Sequence, residues 1–100
     1  MSSSAPIPET FEREYGCTDV EWRRWMPEAT GAATLPGRFS LRVPIAAGAL
    51  TLDWQVLTPR VIALVRMPRM RVAFSFEGVS ADQRATFMRR FDLHLQRGGG

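Results

Sequence analysis

The residues able to make or break bonds are few and widely spaced. The chain has one cysteine, Cys17, and one histidine, His94. One cysteine excludes a disulfide within the chain, and one Cys with one His is too few ligands for a conventional zinc site. Cys17 stands just before Thr18, where a helix is expected to start. A helix N-terminus can lower a thiol pKa, so a Cys17-dependent enzyme is one expectation. The plainer one is a small apolar side chain filling a corner. Asp53, Glu77, Asp82 and Asp92 show no pairing suited to general acid–base work. There is no P-loop and no dinucleotide-binding glycine fingerprint. The pattern predicts no cofactor, no metal and a non-catalytic role.

Arginine is the other chemistry-bearing residue. All thirteen basic side chains are arginine, and lysine is absent. One reading of this composition is arginine-rich codon usage in a GC-rich bacterial genome; the other is selection for guanidinium chemistry. The local stretch VRMPRMRV, residues Val65–Val72, is more pointed. Arg66, Arg69 and Arg71 there suggest planar, bidentate contact with phosphate or carboxylate, with Met67 and Met70 as adaptable neighbours. Read this way, the stretch is the tip of a hairpin and binds anions or nucleic acid; the competing reading is a solvated turn. Charge is unevenly spread: residues 1–28 carry net −3 and residues 29–100 net +6. A basic remainder can face an anionic partner or the chain's own acidic start. Sequence-specific nucleic-acid binding is disfavoured. The strand aromatics Trp54, Phe74 and Phe76 all fall on the expected inner face, which leaves none for base stacking.

The third feature is WRRWMPEA, with Trp22 and Trp25 on one helical face. Exposed, the pair would form a hot spot for a protein partner; buried, it is core.

The elements that position these groups follow from periodicity. One hundred residues make one domain, expected over 9–97, with a disordered tail at 1–8 and a flexible one at 98–100. Phe11 and Tyr15 at i and i+4 suggest a short helix ending at Gly16. Thr18 with Glu21 forms a capping box for a second helix, which Pro27 should end or kink near Met26. Residues 30–38 read as a loop. Four stretches then alternate with period two: Leu41–Ile45, Leu50–Val56, Val61–Val65 and Val72–Phe76. Turns at Ala47-Gly48, Thr58-Pro59 and Pro68-Arg69 would set Leu41 opposite Trp54, Trp54 opposite Ala63 and Ala63 opposite Phe74, all on one apolar face. Arg42 would then oppose Asp53, and Arg66 would oppose Arg71. Ser80 with Gln83 caps a last helix over 81–97. Its stripe of Phe87, Met88, Phe91 and Leu95 suits that face.

The fold class expected is α+β: short N-terminal helices, a four-stranded antiparallel meander, and a C-terminal amphipathic helix on its apolar side. On the second face, Ile62 and Leu64 form a small apolar island, to be shielded by the N-terminal helices or by a second copy of the chain. Trp22, Trp25, Ile62 and Leu64 are therefore the candidate protein-binding residues, with a homodimer as one form. No apolar run approaches the ~20 residues of a membrane span, and the start of the sequence carries no leader pattern. A cytoplasmic protein without a membrane partner is expected.

Overall fold

Backbone alternation builds a sheet, but its strands are not all those expected. The computed structural model describes residues 6–31 and 39–98. Most of the expected leading tail, most of the 30–38 loop and the last two glycines lie outside those residues. The elements are β1 (Thr10–Tyr15), α1 (Asp19–Thr30), β2 (Ser40–Ile45), β3 (Gly48–Ile62), β4 (Val65–Glu77) and α2 (Ala81–Gly98). The sheet is antiparallel with order β1-β4-β3-β2. The α+β class, the four-stranded antiparallel sheet and the C-terminal helix packed on it are all present.

The first expected helix is a strand. Phe11 and Tyr15 are four apart, which places two residues on one face of a strand as well as of a helix. In β1 the even-numbered Thr10, Glu12 and Glu14 are exposed, and Phe11, Arg13 and Tyr15 turn inward. The Phe11 ring stacks on Phe74 with centroids 4.6 Å apart. The Arg13 guanidinium lies over Phe11 and Phe74 and donates to Asp92 Oδ1 at 2.6 Å, tying β1 to α2.

Both capping boxes form. Glu21 N donates to Thr18 Oγ1 at 3.1 Å and Thr18 N to Glu21 Oε1 at 2.9 Å. Ser80 and Gln83 repeat the pattern. Pro27 does not end α1. The helix runs to Thr30 and closes on Gly31, whose φ of 75° is the left-handed conformation glycine adopts without strain.

The hairpin turns lie elsewhere than expected. Ile45 pairs with Gly48, so Ala46 and Ala47 make the first turn, and Ala46 takes a φ of 51°. Gly48 is a strand residue. A Cβ there would collide with the carbonyl oxygens of Glu77 and Gly78, so close approach rather than turning demands glycine. Leu41 accordingly opposes Leu52, and Arg42 opposes Thr51 rather than Asp53. Thr58-Pro59 is an irregularity inside β3, and Pro68-Arg69 lies inside β4. The stretch expected as a third strand contains the real turn, at Ala63 and Leu64. Leu50, Leu52 and Trp54 oppose Phe76, Phe74 and Val72.

The core lies on one side of this sheet. Trp22, Met26 and Ala29 of α1 and Met88 and Phe91 of α2 are buried with the inward residues of β2, β3 and β4. Trp22 is the hub, its ring centroid 5.0 Å from Tyr15, 6.0 Å from Trp54 and 6.0 Å from Phe91. Its Nε1 is buried without an acceptor. Thus α1 helps cover the apolar face instead of shielding the second one. That second face is polar, with Glu12, Asp53, Gln55 and Arg71 exposed upon it.

Candidate functional site: the projecting β3–β4 arm

β1 and β2 are six residues each, whereas β3 has fifteen and β4 thirteen. At ~3.3 Å per residue, β3 reaches roughly 50 Å and its flanking strands roughly 20 Å. β2 pairs with β3 only as far as Asp53, and β1 with β4 only back to Met70. Residues 55–69 therefore continue as a two-stranded ribbon, and the molecule measures 46 Å along its longest axis.

Beyond its root, where Arg69 meets Glu14 of β1, this arm is a two-stranded ribbon whose apolar side chains are largely in solvent. Val56, Val61, Ile62, Val65 and Met67 are all exposed, and Leu64 at the tip is 99% exposed. Isolated exposed aliphatic residues are ordinary; a contiguous group of them marks an interaction surface. From Trp54 through Phe76 the sequence holds four arginines and no acid.

The arginines divide into two pairs. Arg69 braces the root of the arm. Its Nε and Nη2 donate to Glu14 Oε2 and Oε1, each at 3.0 Å, and Nη1 reaches the Thr58 carbonyl at 3.4 Å. These hydrogen bonds hold the Glu14 carboxyl below its ordinary pKa of 4.5. Arg71 also sits at the root, opposite Glu14 and Gln55, and beside Glu12 and Asp53 in a shallow hollow. Arg60 and Arg66 lie further along the arm and form no ion pair among the described residues, although the Arg60 charge still acts on Glu14 and helps to lower its pKa. Arg66 opposes Val61, not Arg71, and Arg60 opposes Met67. The expected clamp of Arg66, Arg69 and Arg71 is therefore not assembled. Arg69 is engaged by Glu14, and the outward pair is Arg60 with Arg66.

Nothing in the local spelling of Arg60 distinguishes it from any surface arginine. The long acid-free interval around it is the signal that points to it. Ile62 and Leu64, expected on the second face of the sheet, stand at the arm's tip, and Val61 and Val65 join them there.

The other candidates lie on the body. Trp22 is fully buried and offers no binding surface. Trp25 is half-buried and, with Arg24, Glu28 and His94, lines a hollow of about 290 Å³ between α1 and α2. Cys17 is 3% exposed, and burial, with Glu21 and Asp19 adding, pushes its thiol up to about 11. It remains a protonated thiol at neutral pH, the opposite of an activated nucleophile. A larger hollow, about 410 Å³, lies between Ile45, Ala29 and the Asp82–Arg90 side of α2, with Phe87 as its apolar wall. Among the described residues no three His, Cys, Asp or Glu side chains come together as metal ligands. None of the described helices is long and apolar enough to cross a membrane.

No protein-family model matches the chain, and no curated protein matches it significantly.

Proposed function

We propose that this is a small, non-catalytic cytoplasmic binding or adaptor protein whose working element is the β3–β4 arm. The observation that carries this reading is the coincidence, on one projecting ribbon, of uncovered aliphatic side chains with arginines and no acids. Leaving the tip residues in water forgoes roughly 1.5–3 kcal/mol of burial per side chain. A partner that covers them recovers that energy.

The character of the arm narrows the mode of binding. Pro59, Pro68 and the irregularity at Leu57–Arg60 interrupt the strand edges. Such features discourage addition of another strand. Arm-to-arm pairing of two copies would also bring Arg60 and Arg66 against their own kind. Recognition therefore runs through side chains, to a partner that is anionic and apolar together. The buried, protonated Cys17 supports a role without covalent chemistry.

The test is an amide NMR titration of the full chain with heparin as a generic polyanion, over a salt series. The amides of residues 55–69 should shift and return as salt rises. Arg60→Ala with Arg66→Ala should abolish most of the shift. Shifts confined to the body, or an unchanged response in that double variant, would overturn the assignment.

A further inference from the structure

The tip of the arm is an exposed aliphatic edge, a wedge in composition with arginines just behind it, and the inference drawn from it rests on the arm being the binding element. Its leading edge is Ile62, Ala63, Leu64 and Val65, closed by a two-residue turn. Successive cross-strand pairs face opposite sides of a ribbon. Arg60 with Met67 therefore lies on one face, and Arg66 with Val61 on the other. One guanidinium thus leaves each face just behind an aliphatic edge. At ~3.3 Å per residue, Arg60 starts roughly 7 Å behind Ile62. The polar layer of one bilayer leaflet is about 5–8 Å deep. An aliphatic edge at the acyl boundary thus sets both arginines among lipid phosphates.

We propose that the arm docks on an anionic lipid bilayer, with Ile62, Leu64 and Val65 entering the interface and Arg60 and Arg66 pairing with headgroup phosphates. Charge complementarity selects the surface, since the arm's net charge is wholly positive. Insertion stops at the tip, because unpaired strand-edge N–H and C=O groups are costly in hydrocarbon. Nucleic acid offers phosphates too, but it gives no use to an exposed aliphatic edge, and the arm carries no aromatic residue for base stacking. The absence of a spanning segment led to the expectation of no membrane partner. Docking on the surface requires no span.

The experiment is co-sedimentation of the full chain with vesicles of phosphatidylcholine alone, or of equal parts phosphatidylcholine and phosphatidylglycerol. Heparin binding and binding to a DNA duplex are measured alongside. Binding should appear on the anionic vesicles only and weaken with salt. Each of Arg60→Ala and Arg66→Ala should weaken it about fivefold. Leu64→Ser should weaken it roughly tenfold and weaken heparin binding far less. Because Leu64 touches almost nothing, that variant should keep its fold, and circular dichroism checks this. Equal binding to neutral vesicles, or indifference to Leu64→Ser, would overturn the lipid assignment. Heparin binding through the arm with no vesicle binding would overturn it too, leaving the arm as binding element intact. Tight DNA binding that depends on Leu64, without vesicle binding, would assign the wedge to nucleic acid instead. Loss of both heparin and vesicle binding would overturn both proposals.

Discussion

Between Gly48 and Trp54, β3 carries Leu50, Leu52 and Trp54 into a sealed core; between Gln55 and Ile62 it carries Val56, Val61 and Ile62 into solvent. β4 changes in the same way, from Phe76, Phe74 and Val72 near the body to Met67 and Val65 on the arm. The two halves are the same pair of strands, joined by the same kind of backbone ladder, and both are rich in β-branched and aliphatic residues. What differs is the neighbourhood. The inner half has β1 and β2 alongside and two helices above; the outer half pairs with neither flanking strand and touches β1 through Arg69 at its root. Aliphatic composition therefore reports a tendency to form strands, and burial is a separate outcome decided by which elements reach far enough to cover them.

Substitutions in the core that covers the inner half and at the tip of the outer half should separate them most sharply. Trp22→Ala removes the side chain to which Tyr15, Trp54 and Phe91 pack, and should cost about 3–5 kcal/mol. That is a large share of the ~5–15 kcal/mol available to a domain of this size. Leu64→Ala on the arm should stay within about 0.5 kcal/mol. Chemical denaturation of both variants checks the contrast, and an equal cost would mean the tip is packed after all.

Gly48→Ala probes the inner half through backbone approach rather than core volume. The new methyl meets carbonyl oxygens that cannot swing aside, so a loss of about 1–3 kcal/mol is expected in the same measurement. A neutral result would place the β3–β4 junction further apart than described.

Ala63 tests the outer half. Its φ of 55° is left-handed, where alanine is strained and glycine is not. Part of that gain is lost to the extra freedom glycine gives the unfolded chain. Ala63→Gly should raise stability by up to about 0.5 kcal/mol in a thermal melt; a clear loss would argue for a different turn.

The smallest expected effect is electrostatic, at the junction of the two halves. Arg69 holds the Glu14 carboxyl below its ordinary 4.5. A folded-state pKa below the unfolded one means that the pairing stabilises above the unfolded value and is lost as pH falls through the folded value. NMR titration should place the Glu14 midpoint below 4.5, and Arg69→Gln should raise it part of the way back, since the Arg60 and Arg71 charges remain. Amides at the arm's root should exchange faster in acid than those of Leu50–Trp54.

Much of this was legible in the chain, and the misses share a cause. The capping boxes Thr18–Glu21 and Ser80–Gln83 are local hydrogen-bond patterns, and local patterns survive into the structure. Of the set expected inward, Leu41, Val43, Leu50, Leu52, Trp54, Val72, Phe74 and Phe76 are buried, whereas Val56, Val61, Ala63 and Val65 are exposed on the arm, and the pairings differ from those expected. Alternation has a period of two, so it detects a slip of one residue and is blind to a slip of two. Leu41 opposite Leu52 and Leu41 opposite Trp54 satisfy it equally well. Phe11 and Tyr15 misled for the same reason, since a separation of four fits both a helix and a strand.

The sequence by itself determined that the chain alternates into antiparallel strands, where both helices begin, and that a single cysteine allows no disulfide within the chain. Those results depend on neighbours a few residues apart. Tertiary structure decided that β1 closes the sheet beside β4, that α1 joins α2 on the apolar face, and that Val61–Val65 is left outside. It also decided which arginines are engaged, giving Glu14 to Arg69 and leaving Arg60 and Arg66 without an ion pair among the described residues. These outcomes turn on contacts between residues as far apart as Glu14 and Arg69, or Arg13 and Asp92. No local period encodes such separations.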